Sequence, residues 1–265
     1  MKIVLCTSVF FISILSLQNG ATAQSAQQGK TLLAVFAHPD DEMTVAPILV
    51  KYVNEGAKVH LVICTDGRYG TNDFSGLEAG DGLVTIRKEE MKCSAEKLGV
   101  ELTHLNYHDQ LKTGEGYDGH IPHTRGLIKE LHEIVSEIKP DAIITWGPDG
   151  GSNHIDHRLV GASVTQVYLS KVWEKPIQLF YVAYPSDLLD DAEGKVLRGV
   201  DPKYINTRIS YSKEDSERAI KAIACHKSQI SPEGLKRIAA YREKLGMAVT
   251  LRQFVGPTAS EDSIF

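Results

Sequence analysis

Short apolar runs alternate with longer amphipathic ones along most of this chain, and that alternation restricts its fold more than any other feature. "TLLAVFA" (31–37) and "KVHLVICT" (58–65) are mainly apolar and read as strands buried on both faces. "PILVKYVNEG" between them reads as a helix ended by Gly56. "LVTIRKEEMKCSAEKLG" (83–99) has helical spacing and closes on Gly99, and "VELTHLNY" (100–107) follows as a strand. "TRGLIKELHEIVSEIKP" (124–140) is a helix stopped by Pro140, and "DAIITWG" (141–147) is the next strand. "HRLVGASVTQVYLSKVW" (157–173) is again helical, and "IQLFYVAY" (177–184) again a strand. This order predicts an α/β fold, Rossmann-like, with a mostly parallel sheet and helices on both faces. Past Pro185 the rhythm loosens into a surface excursion, a late strand "YINTRISY" and two helices, "KEDSERAIKAIACHKSQ" and "SPEGLKRIAAYREKLG". No repeat, low-complexity segment or linker divides this body, so residues 24–265 are expected to form a single domain.

Residues 1–23 stand apart. Lys2, an apolar core from Ile3 to Leu17 and the small residues Ala21-Thr22-Ala23 follow the plan of a secretory signal peptide cleaved before Gln24. The apolar stretch is short for a membrane span, so export to the periplasm or medium is expected, with no stable membrane insertion after cleavage. Cleavage removes Lys2 and takes the formal net charge from −5 to −6. A mildly acidic chain without a basic run gives no reason to expect nucleic acid as a partner. Cys64, Cys93 and Cys225 remain, an odd number without C-x-x-C; an exported chain could pair two of them, but no disulfide framework is indicated and the expectation is buried free thiols.

The chemistry gathers in two stretches. "FAHPDDEM" (36–43) sets His38, Asp40, Asp41 and Glu42 directly after the first strand, and "WGPDGGSNHIDH" (146–157) begins where the fourth ends. Ligands of an open parallel sheet bind beyond the carboxyl ends of its strands, so the two loops can share one edge. Together they offer His38, Asp40, Asp41, His154, Asp156 and His157. Catalytic zinc usually takes three N or O ligands and keeps a fourth position open. A His and an Asp three apart, with a His from the second loop, would supply that set. Pro39 fixes φ and helps aim the neighbouring acids in different directions, so that one binds metal while the other takes the proton of an attacking water.

"AHPDDE" followed by H-x-D-H resembles the PIG-L/LmbE-like family of zinc-dependent N-deacetylases. The resemblance runs from about Leu32 to Phe254 and includes "TDG" after the second strand, "IRKEEM" with "LGV", and "HKSQ" near the end. It implies an LmbE-like fold and a zinc ion, or another divalent metal, on His38, Asp41 and His157. It further implies Asp40 as general base, His154 as the group facing the oxyanion or the leaving amine, and Asp156 as the residue that orients a catalytic His. The implied substrate is a small molecule or glycan with an N-acetyl group, of the N-acetylglucosamine type, from which acetate is released. Ile155 replaces the usual Pro of the second motif, Ser152 stands where some relatives carry an aromatic, and Gly67-Arg68 replaces Gly-Glu.

Arg68 and Asp109, at strand ends, are candidates to touch a sugar. Arg87 and Glu90 read as a structural pair on a helix, His226 as a packed hydrogen-bonded ring, and "GEGYDG" (114–119) as a flexible loop. No G-x-S-x-G supplies a serine nucleophile. Rival readings are a zinc amidase on another amide, a secreted carbohydrate-binding protein without turnover, and a glycosidase using Asp40 and Asp41. The last leaves His38 and His157 without a role.

Overall fold

The computed structural model describes residues 27–191 and 193–257, so the segment read as a signal peptide lies outside the described residues. In chain order the parallel part is β1 (Thr31–Phe36), α1 (Ala46–Asn54), β2 (Lys58–Thr65), α2 (Asp81–Leu98), β3 (Glu101–Tyr107), α3 (Gly116–Ile138), β4 (Ala142–Thr145), α4 (Ile155–Leu169) and β5 (Gln178–Val182). There follow β6 (Tyr184–Pro185), α5 (Glu193–Val196), β7 (Gly199–Val200), β8 (Thr207–Ser210), α6 (Lys213–Ile223), α7 (Pro232–Lys244) and β9 (Ala248–Gln253). Seven strands form one sheet in the order β3-β2-β1-β4-β5-β9-β8, and β6 pairs separately with β7. β1 to β5 run parallel, whereas β9 is antiparallel to both β5 and β8. This is the expected Rossmann-like architecture.

The apolar runs work as two-sided strands. Along β1, Leu32, Ala34 and Phe36 enter one core, and Leu33 and Val35, followed by Ala37, enter the other. The first core is covered by Ile48 and Leu49 of α1, Met91 and Leu98 of α2, and Ala219 and Ile223 of α6. The second is covered by Leu127, Leu131 and Val135 of α3 and Val160, Val164 and Val167 of α4. Burying each large aliphatic side chain contributes about 1.5–3 kcal/mol, which is why the helices take both faces. β1 sits at the centre. The chain steps outward through β2 and β3, returns to β4 on the other side of β1, and steps outward again through β5. The crevice between the loops after β1 and β4 is therefore the topological switch point, where such sheets bind ligands.

Three expectations need correction. α3 starts at Gly116, so most of the expected "GEGYDG" loop is helix, with Pro122 inside it. Its glycines have poor helix propensity, but His120 Nδ1 reaches the Leu111 carbonyl at 3.0 Å and ties the first turns to the preceding loop. β9 was not expected at all, and it inserts between β5 and the late strand β8. Cys93 and Cys225 are bonded to each other, and among the described residues only Cys64 is a buried free thiol. The pair is 132 residues apart in sequence and meets because α2 packs beside α6. Among the described residues no helix is long and apolar enough to cross a membrane.

Candidate active site

The sequence of the β1–α1 loop fixes Asp41 first. Its Oδ2 accepts the backbone amides of Ala37 (3.0 Å) and His38 (2.9 Å) and the indole N–H of Trp146 (3.2 Å). With that oxygen saturated, Oδ1 turns to His157 Nε2 at 3.1 Å. Burial alone would raise the Asp41 pKa, but the charges and hydrogen bonds of His157 and His38 hold it well below the usual carboxylate range.

His157, in the first turn of α4, is held on the opposite side. Its Nδ1 donates to the Gly150 carbonyl at 2.8 Å, which leaves Nε2 unprotonated when the ring is neutral. The ring stacks on Trp146 at 4.3 Å with an interplanar angle of 4°. Gly161 makes this approach possible, since a Cβ there would run into the Trp146 carbonyl and block the packing of α4 on the end of β4.

His38 completes the cluster. Its Nε2 faces Asp109 Oδ1 at 3.1 Å and Asp156 Oδ2 at 3.0 Å, and its Nδ1 faces His157 Nε2 at 3.2 Å and Asp41 Oδ2 at 3.6 Å. Burial would lower the His38 pKa, but its bonds to Asp109, Asp156 and Asp41 outweigh it and raise the pKa well above the ordinary value. Asp109 is correspondingly lowered, its own burial being outweighed by His38. Asp156 is raised, because there burial outweighs His38.

The donor set fits a small cation. Ligands about 2.0–2.1 Å from a tetrahedral ion lie about 3.3 Å from one another. His157 Nε2 lies 3.2 Å from His38 Nδ1 and 3.1 Å from Asp41 Oδ1, the oxygen that the backbone and indole N–H groups leave free. Two imidazole nitrogens facing each other beside a carboxylate otherwise have only a shared proton to relieve them. His154 offers an alternative third donor, since its ligand atom lies within 4.8 Å of those of His38 and His157.

Asp40 lies beside the cluster and is bonded by Arg87 Nη2 at 3.0 Å. Its φ of 114° is left-handed, a conformation that costs a non-glycine residue about 1–3 kcal/mol and persists only when the surroundings impose it. Arg87 imposes part of it by also donating to the carbonyls of Pro39 and Gly67. Burial raises the Asp40 pKa against the opposing effect of Arg87. Gly67 (φ 65°) and Gly70 leave the room the guanidinium fills, because a Cβ on either would collide with it.

His154 is the N-cap of α4 and its Nδ1 accepts the amide of Asp156 at 3.3 Å. Nε2 therefore carries the proton of the neutral ring. Burial of part of the ring, then the nearby His38 and His157, lower its pKa to about 4. The lowered pKa favours a neutral ring with one N–H to donate.

A cavity of about 270 Å³ joins these groups, lined by His38, Asp40, Asp41, His154 and His157 together with Tyr69, Arg87, Gln110 and Gln229. A hollow of about 320 Å³ over α3 and α4 shares no residue with the cluster. Of the two expected sugar contacts, Asp109 lines this cavity and Arg68 does not. Arg68 is turned onto Asp66, with Nε and Nη2 at 2.9 and 2.7 Å from one oxygen. Asp109 is buried, and its oxygens are taken by His38 and by the amides of Tyr69 and Gln110. The His that Asp156 touches with its carboxylate is His38. Arg87 pairs with Asp40, not with Glu90, which instead accepts from Ser228. His226 is packed as expected, at 2.6 Å from Glu42. Gln229 was signalled only by "HKSQ", and Tyr69 and Gln110 carried no signal.

A parallel sheet with a His/Asp cluster at its switch point defines an α/β protein with a candidate metal site. More narrowly, the chain belongs to the PIG-L family: the profile described as GlcNAc-PI de-N-acetylase matches residues 33–168. A relative in Corynebacterium glutamicum (strain R), 1D-myo-inositol 2-acetamido-2-deoxy-alpha-D-glucopyranoside deacetylase, is 36% identical over 143 residues, 49% of this chain and 49% of that one. The match thus spans about half the length of that relative. Mycothiol S-conjugate amidase of Streptomyces coelicolor is 28% identical over 246 residues, covering 77% of this chain and 83% of that one. The solved structure of N,N'-diacetylchitobiose deacetylase from Pyrococcus horikoshii matches with a TM-score of 0.62 at 24% identity, covering 85% of this chain and 84% of that one, a likeness of fold.

Proposed function

We propose that the protein is a zinc-dependent N-deacetylase that removes the acetyl group from an N-acetylated amino sugar and releases acetate. The observation that carries this reading is the convergence of His38 Nδ1, Asp41 and His157 Nε2 beside a separately held, half-buried Asp40. A divalent ion held by these three residues would polarise the amide carbonyl and lower the pKa of the attacking water. Asp40, with its raised pKa, takes the proton of that water and is poised to pass it to the leaving amine. His154, neutral and at the cavity wall, donates from Nε2 to the oxygen that gains charge. Asp109 and Asp156 keep the proton of His38 on Nε2, so that Nδ1 is the ligand atom. The cavity, near the lower end of the usual small-molecule range of about 300–1,000 Å³, suits one acylated sugar unit.

A zinc amidase on a larger amide is the second reading, favoured by the long match to the Streptomyces amidase. A binding protein without turnover would have no use for a strained, arginine-held Asp40. Export is proposed as well, supported by the plan of residues 1–23 and by Cys93–Cys225, since disulfides persist in oxidising compartments.

One preparation tests both proposals. Protein recovered from the extracytoplasmic fraction is expected to lack residues 1–23 by intact mass and to contain about one zinc per chain. It is expected to release acetate from N-acetylglucosamine conjugates faster than it cleaves bulkier amides. A full-length cytoplasmic chain would overturn export, and amine release without acetate would favour the amidase.

A further inference from the structure

We propose that the Cys93–Cys225 disulfide sets the backbone of Asp40 through Ser94, His226 and Glu42, which makes Glu42 and His226 positioning residues for proton transfer. The proposal rests on the reading of Asp40 as the base. Glu42 lies two residues past Asp40 in the short 3-10 turn Asp41–Thr44 and is completely buried. Its Oε2 accepts the Asp40 backbone amide at 3.1 Å. Its Oε1 accepts from Ser94 Oγ at 2.6 Å and lies 2.6 Å from His226 Nε2. Ser94 and His226 are as buried as Glu42, and none of the three lines the cavity.

The two donors are the sequence neighbours of the two half-cystines. Ser94 follows Cys93 in α2, and His226 follows Cys225 just beyond α6. The covalent bond therefore fixes the distance between the groups that grip Oε1, and with it the aim of Oε2. His226 Nδ1 is buried without a hydrogen-bond partner, so Glu42 is what orients the ring. A left-handed Asp40 needs restraint from more than one side. Arg87 holds its carboxylate and the preceding carbonyl from the cavity side, and Glu42 holds its amide from behind. A buried carboxylate–imidazole pair contributes little to stability compared with apolar packing, whereas it does fix a geometry.

The test uses the full, zinc-loaded chain in two variants: C93S/C225S, and S94A, which retains the disulfide should the first fail to fold. Three quantities are read: zinc per chain, kcat against KM on the best substrate, and amide exchange of the peptide covering 38–44. The expected result is faster exchange at Asp40 and a kcat lower by about tenfold or more, with zinc and KM within about twofold. Unchanged exchange and kcat in the folded variants would overturn the proposal. So would loss of zinc in step with kcat, since the cluster would then act through the ligands. Were the wild type to turn over no amide at all, the deacetylase reading would fail on its own. Exchange at Asp40 would still decide whether the disulfide holds that backbone.

Discussion

His157→Ala is expected to purify without zinc and without activity, whereas His154→Ala is expected to keep near-stoichiometric zinc and lose mainly kcat, by about 10²–10³-fold. The two rings belong to one four-residue motif, and their surroundings divide the work. His157 is pinned by the Gly150 carbonyl and the Trp146 ring so that Nε2 points at Asp41 and His38. Its removal takes away the donor held 3.1 Å from Asp41 and 3.2 Å from His38. His154 uses Nδ1 on the helix amide and leaves Nε2–H for the substrate. Its pKa of about 4 means that turnover should not fall as pH rises from 6 to 8 through loss of a proton on this ring. Zinc content of the two folded variants decides the matter. The reverse pattern, with zinc lost from His154→Ala and kept by His157→Ala, would overturn the assignment of His157 as the ligand.

Asp40→Asn is expected to retain zinc while kcat falls by about 10²-fold or more, and Asp41→Ala to lose the metal itself. The amide is nearly isosteric and can still accept from Arg87, so the fold of the loop survives while the proton acceptor is gone. Asp41, by contrast, joins three N–H donors to the His157 side of the cluster, and truncation leaves those donors buried without their acceptor. Parallel metal analysis and steady-state kinetics separate the two. Equal metal loss in both variants would remove the distinction between ligand and base.

The parallel half of the fold was legible because its central strands are largely buried on both faces and so are written as mainly apolar runs. β9 was not, because its short "AVTLRQ" follows a helix directly and pairs antiparallel at a position no local pattern announces. The two motifs were legible because the turn that ends each strand packs several functional groups into a few residues. What lay between distant segments was hidden. Arg87 looked like one of many charges on a helix face, and its partner is 47 positions away. Asp109 looked like a sugar contact because it ends a strand, yet the left-handed turn at Gln110–Lys112 folds it under His38. The disulfide depends on the packing of α2 against α6, which sequence spacing does not encode.

The switch point also has a mechanical side. β1 and β4 are neighbours through only three paired positions, Leu32↔Ala142, Leu33↔Ile143 and Ala34↔Ile144, and they join two halves of the sheet built by separate stretches of chain. His38 and Asp41 belong to one half and His157 to the other. An ion shared by them would rivet this seam, and the native state alone would bind it. At free metal about 100-fold above Kd, that linkage adds about 2.7 kcal/mol to global stability. For a chain of this size it corresponds to a Tm several degrees higher than in chelator, by about 2–4 °C per kcal/mol. Identical melting with and without chelator would mean that no ion bridges the halves. The loops that make the site would then owe their order to the protein alone.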